Sequence, residues 1–348
     1  MFSVSESSAQ KTFDEVCQRI ESAASLLVIS HARPDGDTLG AMAGLRRAAR
    51  SAGKTVAMVL PDRLPVRYEF LFPDERPASV SRFEALAGEA DVIVVLDTCA
   101  ANQLGGLPDK LAAIKAKVVV IDHHATPGQI GDLQWIDTSS AATGILVGDI
   151  LAELGWSVDR QTAEALLTAI LTDTGWLRFA NTDSRCLRMV ADLLDRGVRL
   201  DVLYRRIYQN DRLERIKLMA RVLDGLELHG DGRIAVATIC REDFAATGAR
   251  PDETENLVNE ALRMGSVEVS LMLIENADGV RVSLRSREIV DVAAIAERLG
   301  GGGHTRAAGV QLSDSLEVVK DRLLHACQQL LAEASGRSAG GGGRKRGG

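Results

Sequence analysis

Two histidines and four aspartates stand at equivalent places along the first half of this chain, each just after a short apolar run. His31, Asp35 and Asp37 follow the run 26–29, and Asp97 follows 92–96. His123 follows 118–121, inside the tripeptide Asp122-His123-His124, and Asp173 follows the apolar stretch 165–171. Imidazole and carboxylate are poor core groups and good ligands for divalent cations. Six such donors are too many for one ion. They suit a pair of hard or borderline cations about 3.5–4 Å apart, with one carboxylate shared. Mixed oxygen and nitrogen donors without thiolate favour Mn²⁺, with Mg²⁺ or Co²⁺ as alternatives. Such a centre brings the pKa of a bound water toward neutrality and clamps a phosphoryl group for in-line attack, which is phosphoester hydrolysis.

Taken singly, some of these residues have plainer explanations. The loop 30–37 is shaped by Pro34 and Gly36 and leads into a helix, so Asp37 could be only its cap. Asp97 could be a turn residue, and Asp173 part of a surface turn with Gly175 as the helix stop. Two adjacent histidines at the mouth of a buried strand, however, need partners. A helix C-terminus is likewise an unfavourable place for the Asp173 carboxylate unless a cation lies near it.

The elements that must position these residues follow from hydrophobic periodicity. Strands are expected at 26–29, 54–60, 92–96 and 118–121, and helices at 12–24, 39–52, 142–154 and 162–171. This alternation predicts an α/β, Rossmann-like domain with a mainly parallel sheet. Ligands collect at the carboxyl ends of such strands, so residues spread over the sequence converge on one edge. The charged stretch 200–226 carries no strand signal and is expected to be a helical connector. Strands at 233–239, 267–274 and 280–284, with helices at 252–264 and 291–299, make a second, smaller α/β unit. The expected division is a metal-binding catalytic domain over 1–200, a linker over 201–226, a substrate-binding domain over 227–335 and a flexible Gly/Arg tail over 336–348.

The second unit carries Gly300-Gly301-Gly302-Gly303-His304. Glycines let backbone approach a ligand closely and present amides to an anion. With a small-residue helix start expected after it, and Arg281, Arg285 and Arg287 on a nearby strand, it is the candidate polyanion pocket. A bare flexible turn is the plainer alternative.

Composition narrows the partners. The chain has 348 residues, 46% of them hydrophobic and 26% charged, enough for two soluble domains with real cores. Its formal charge is −7, so any polyanion must be held by a local cluster of positive charge rather than by the bulk field. Long-duplex binding is therefore not expected. Cys17, Cys99, Cys186, Cys240 and Cys327 form no CxxC pair and read as reduced thiols in a cytoplasm. No signal peptide or membrane-spanning run is evident.

Together these motifs resemble the DHH/DHHA1 phosphoesterase family, and within it the short nanoRNase-type members. HxxPDxD is present as His31-Pro34-Asp35-Asp37, followed by Asp97-Thr98, Asp122-His123-His124 and Thr172-Asp173-Thr174-Gly175. The C-terminal signature is present as Ser283-Leu284-Arg285-Ser286 and Gly301-Gly302-Gly303-His304. The resemblance implies a DHH domain holding two Mn²⁺ ions, a DHHA1 domain binding a nucleotide, and a cleft between them. One metal would take His31, Asp35 and Asp97, and the other Asp37, Asp97, His123 and Asp173. His124 would lie beside the reacting phosphate, with Asp122 orienting a histidine. Arg285, Gly301, Gly302, Gly303 and His304 would bind substrate. Relatives often carry a basic residue near the position of Gln103, for which Arg178 is the candidate substitute here. The implied activity is hydrolysis of very short oligoribonucleotides to 5′-mononucleotides, and of 3′-phosphoadenosine 5′-phosphate to AMP, in a protein expected to form homodimers. The alternatives are a pyrophosphatase or polyphosphatase on the same metal domain, a hydrolase of linear dinucleotides from cyclic di-AMP turnover, and a non-catalytic nucleotide- or RNA-binding module.

Overall fold

A computed structural model describes residues 6–124, 128 and 130–340. Contacts divide the chain into two compact units, Met1–Asn210 and Asp211–Gly348.

The first unit is built on a six-stranded parallel sheet of β1 (Ser25–Ile29), β2 (Thr55–Leu60), β3 (Ala78–Ser79), β4 (Val92–Leu96), β5 (Lys117–Asp122) and β6 (Leu133–Ile136), in the order β3-β2-β1-β4-β5-β6. The β-branched central strands are covered on both faces. Val28, Val94, Val119 and Ile121 pack into one core with the helices Gly36–Ser51, Thr143–Glu153 and Arg160–Asp173. Leu27, Ile29, Ile93, Val95, Val118 and Val120 face the opposite core with Phe83, Leu104 and Leu107. The expected α/β fold with a parallel sheet is therefore present. The strand order reverses between β1 and β4, and a crevice opens at such a switch point beyond the carboxyl ends. Register fixes the level of the site residues: Ile29 pairs with Val95, and Leu96 with Ile121.

Helix packing supplies the last element. The helix Arg160–Asp173 lies directly against Gly36–Ser51 because glycines face it. A Cβ at Gly36 would stand 2.4 Å from Thr172 Oγ1, and one at Gly40 would stand 2.4 Å from the Ala165 carbonyl oxygen. Real side chains do not tolerate such approaches, so only glycine allows this contact.

The second unit has a mixed sheet of β7 (Glu227–His229), β8 (Ile234–Ile239), β9 (Val269–Asn276), β10 (Gly279–Ser286), β11 (Gly302–His304) and β12 (Ala307–Leu312), ordered β11-β12-β10-β9-β8-β7. Only β8 and β9 pair in parallel. One face is buried by helices Val292–Arg298 and Leu316–Gly340.

Several expectations change. The stretch 252–264 is two 3-10 segments, Pro251–Thr254 and Leu257–Arg263, rather than a helix. The glycines at 302–303 lie in a strand, and the next element is β12, not a helix. The reason is again close backbone approach. A Cβ at Gly303 would meet the Ala307 carbonyl oxygen at 2.4 Å, and one at Gly301 the Gly309 carbonyl oxygen at 2.3 Å. The stretch 200–226 is two helices, Leu200–Tyr208 in the first unit and Leu213–Asp224 in the second. The C-terminal helix continues to Gly340, and Arg344-Lys345-Arg346 lies outside the described residues. No helix among the described residues is long and apolar enough to cross a membrane.

Candidate metal centre

The loop after β1 turns straight into the helix Gly36–Ser51, and Asp35 is its N-cap. Asp35 Oδ1 accepts from the amides of Asp37 (3.0 Å) and Thr38 (3.1 Å). A cap of this kind contributes about 1 kcal/mol. The cap is therefore Asp35, and the plainer reading of Asp37 fails. Asp37 is 1% exposed and accepts instead from Thr143 (2.7 Å) and Gly144 (2.9 Å), the first amides of another helix.

Asp97 stands where β4 ends. Its amide donates to the Ile121 carbonyl at 2.9 Å, continuing the β4–β5 pairing, and its backbone then turns left-handed at φ 65°. A non-glycine residue in that region costs on the order of 1–3 kcal/mol and persists where surroundings fix it. The turn places Asp97 between two sets of donors. One carboxylate oxygen lies 3.4 Å from His31 Nε2, and the other lies 3.5 Å from His123 Nε2. His31 Nε2 is also 3.8 Å from Asp35, while His123 Nε2 is 3.5 Å from Asp37 and 3.6 Å from Asp173.

Both histidines are held in one tautomer. His31 Nδ1 donates to the Ala32 carbonyl (2.8 Å) and His123 Nδ1 to the Ser140 carbonyl (3.1 Å), since a carbonyl can only accept. Each ring therefore turns Nε2 toward the carboxylates, as second-shell bonds do for metal-ligating histidines. His124 is arranged differently. Its Nδ1 donates to Asp122 Oδ1 at 2.7 Å, and Asp122 is completely buried.

Burial and mutual charge displace the titration of most groups in this cluster. Burial, with the charges of Asp97 and Asp173, pushes the Asp37 carboxyl well above the usual carboxylate range. Burial, aided by Asp97 and Asp35, pushes Asp173 up to about 6. Burial works against the charged form of His31 and His123, yet hydrogen bonds and charges from the aspartates hold both well above the ordinary imidazole value. Burial raises Asp97 too, but hydrogen bonds from His123 and His31 overcome it and hold its carboxyl well below. Among the described residues, three groups of three donors in this cluster have ligand atoms all within 4.8 Å of one another: His31, Asp35 and Asp97; Asp37, His123 and Asp173; and Asp97, His123 and His124. Asp97 joins them. Mixed O/N donors without thiolate fit divalent cations.

Comparison with known proteins places the chain in a family. The model of the DHH family, N-terminal domain, matches residues 25–170, and that of the DHHA1 domain matches residues 231–333. The bifunctional oligoribonuclease and PAP phosphatase NrnA of Thermus thermophilus is 36% identical over 310 residues, covering 89% of this chain and 91% of that protein. The chain belongs to the DHH/DHHA1 phosphoesterase family. The protein of the same name from Bacillus subtilis is 26% identical, covering 88% of this chain and 95% of that one. The crystal structure of an exopolyphosphatase-related protein from Bacteroides fragilis superposes with a TM-score of 0.86 at 25% identity, covering 95% of this chain and 100% of that chain.

In the DHHA1 unit, register sets the expected substrate residues side by side. Arg281, Ser283 and Arg285 oppose Gln311, Gly309 and Ala307 on one half-exposed face of the sheet. Gly302 pairs with Gly309, Gly303 with Ala308, and the backbone of His304 with Ala307, so His304, Ala307 and Arg285 fall in one cross-strand row. The side chain of His304 lies outside the described residues. Gly302 and Gly309 leave a lane without side chains beside Arg285. Arg287 does not join a polyanion pocket. Its guanidinium donates to the carbonyls of Leu262 (2.5 Å), Met264 (2.8 Å) and Gly265 (3.0 Å), closing the 3-10 segment. Arg178 Nε donates to the Gly175 carbonyl (2.7 Å). Gln103 ties loops together: its side chain bonds Thr98, and its carbonyl accepts from Ala32 beside His31.

Sequence reasoning did not find Thr143, whose hydroxyl donates to Asp97 Oδ1 at 2.9 Å. The small-residue stretch 139–144, leading into an apolar helix, was the available signal. Cys99, read from the sequence as a reduced thiol, is buried, and burial together with the charge of Asp122 and its hydrogen bond pushes the thiol up to about 12.

Proposed function

We propose that this protein is a two-metal phosphodiesterase that hydrolyses very short oligoribonucleotides to 5′-mononucleotides and 3′-phosphoadenosine 5′-phosphate to AMP. The observation that carries this reading is the meeting of two donor sets at the Asp97 carboxylate. His31, Asp35 and Asp97 would hold one cation, and Asp37, Asp97, His123 and Asp173 the other. Mn²⁺ suits these donors best, with Mg²⁺ and Co²⁺ as alternatives. Bound there, the pair supplies a water that ionises near neutrality and Lewis acidity toward the phosphoryl oxygens.

The chain's own groups do the rest. Asp122 fixes the His124 ring through Nδ1, so Nε2 is the nitrogen that meets the scissile phosphate. Arg285 and the glycine lane of β11 and β12 receive the nucleotide through charge and close backbone contact. The names of the relatives support the substrate class: the proteins of Thermus thermophilus and Bacillus subtilis are called oligoribonuclease and PAP phosphatase. Five free thiols, four of them buried, support a reducing compartment such as the cytoplasm.

The test is a substrate panel with purified, Mn²⁺-loaded protein. AMP release from pApA and from 3′-phosphoadenosine 5′-phosphate should exceed phosphate release from pyrophosphate, and Asp97→Ala should abolish both. Preferential hydrolysis of pyrophosphate would overturn the reading in favour of a pyrophosphatase. Undiminished turnover by Asp97→Ala would overturn the two-metal assignment.

A further inference from the structure

The segment after Asp173 has a feature that the metal chemistry does not use. Trp176 and the next residue, Leu177, are both left-handed, at φ 61° and 62°. Two consecutive non-glycine residues in that region are strained and are kept where something depends on them. The turn is tied to the helix bearing Asp173 by the Trp176 amide, which donates to the Leu171 carbonyl at 2.6 Å, and by the Leu177 amide, which donates to Thr174 Oγ1 at 3.2 Å. It presents the indole edge-on to Tyr204 (centroids 5.0 Å apart) and to Tyr208 (5.6 Å). Trp176 and Tyr204 line a groove of about 690 Å³ in the first unit, together with Arg199, Arg205 and Gln209. Tyr204 is 38% exposed. Arg199 and Arg205 share a single carboxylate, Asp201, so the rim keeps a net positive charge.

Aromatic faces, guanidinium groups and one amide are the chemistry that receives an unpaired nucleotide: stacking for the base, positive charge for the phosphate. Trp176 stands three residues after Asp173, so their Cα atoms lie within about 11 Å of each other. The half-exposed face around Arg285, by contrast, offers charge and small residues but no aromatic among Arg281, Ser283, Ala307, Gly309 and Gln311. We propose that the Trp176–Tyr204 groove is a nucleobase subsite that takes the base of the second nucleoside of a dinucleotide, the one a nucleoside bisphosphate lacks. This rests on the reading of the protein as a hydrolase of short oligoribonucleotides.

The test compares pApA with 3′-phosphoadenosine 5′-phosphate on Mn²⁺-loaded protein. Tyr204→Leu and Trp176→Leu should each raise KM for pApA about tenfold, a typical loss for one stacked base, and leave hydrolysis of the bisphosphate unchanged. Tyr204→Phe, which keeps the ring, should behave as the native protein. Equal losses on both substrates, or no loss on pApA, would overturn the subsite. A binding readout is independent of turnover. pApA added to metal-free protein should quench tryptophan emission, and the quench should vanish in Trp176→Phe. A quench that persists in that variant would also overturn the proposal. Failure of the native protein to hydrolyse either substrate is a different result, and it would overturn the functional reading itself.

Discussion

Thr143 and Asp37 lie 106 positions apart in the chain and meet at 2.7 Å, the Thr143 amide donating to Asp37 Oδ2. With Gly144 donating to Oδ1, the first turn of one helix holds both oxygens of a buried carboxylate. A helix N-terminus favours negative charge, which offsets part of the cost of burying Asp37 near Asp97 and Asp173. The Thr143 hydroxyl serves a second aspartate, donating to Asp97 Oδ1. Thr143→Val keeps the amides and removes only that hydroxyl. Mn²⁺ affinity should fall about tenfold, as for other outer-shell partners of metal ligands, with helix content unchanged. Calorimetric titration of the metal checks this, and an unchanged affinity would show that Asp97 needs no positioning from Thr143.

Gly40 governs how closely the helix bearing Asp173 approaches the one bearing Asp37. A Cβ there would lie 2.4 Å from the Ala165 carbonyl oxygen and 2.6 Å from the Ala169 amide nitrogen, and neither backbone atom can swing aside. Gly40→Ala should therefore destabilise the protein by about 1–3 kcal/mol, the usual cost of overpacking, despite alanine's better helix propensity. Gly88→Ala is the control. Gly88 lies in the helix Phe83–Glu89, and an added Cβ there meets nothing within 4 Å. It should be neutral or stabilising by up to about 1 kcal/mol. Urea denaturation of the two variants separates these effects.

The parallel sheet and its ligand edge were legible because β-branched runs and the residues that end them are local signals. His31, Asp97 and His123 could be placed at strand ends from the sequence, and the structure brings them together. The partners that orient them were not legible. The Ser140 carbonyl behind His123 and the Thr143 hydroxyl behind Asp97 act across the fold, through groups that almost any sequence offers. The element that follows Gly300–Gly303 was misread as a helix for a related reason. Glycine signals backbone freedom, and only the pairing with Ala307–Gly309 reveals that it is used here for close strand contact. The stretch 252–264 has helical spacing, but Pro251 and the left-handed Asn256 divide it into short 3-10 segments.

Asp122 and His124 form a hydrogen-bonded pair, the aspartate fully buried and the histidine half-buried, to which the proposed function gives a role apart from metal ligation. Asp122 Oδ1 accepts from both the ring and the amide of His124, at 2.7 and 3.1 Å. Asp122→Asn keeps shape and removes the charge, leaving the imidazole free to adopt the wrong tautomer. Turnover of a dinucleotide should drop by about 10²-fold or more, as when an orienting aspartate is neutralised elsewhere, while Mn²⁺ affinity stays within a few-fold. Parallel measurement of kcat and of metal binding decides the matter. Comparable losses in both would make Asp122 a support of the metal centre instead.

Protons and metal compete for the same groups, which fixes the sign of the pH dependence. Without metal, burial and neighbouring carboxylates hold the Asp173 carboxyl up at about 6 and Asp37 well above the usual carboxylate range, while the surrounding aspartates keep His31 and His123 protonated past the ordinary imidazole value. A raised carboxyl contributes stability that is present below its unfolded value of about 4 and is lost as pH rises through its folded value. The metal-free protein therefore loses the Asp173 contribution between about pH 4 and pH 6. A cation binds only the deprotonated donors, so its affinity moves the opposite way and rises with pH. Mn²⁺ should raise the melting temperature far more at about pH 7.5 than at about pH 5, and its binding near neutrality should release protons. Thermal melts with and without Mn²⁺ at the two pH values, and calorimetry in buffers of different ionisation enthalpy, measure both. A metal-induced shift that is equal at the two pH values, with no proton release, would mean that these buried donors are not the ligands.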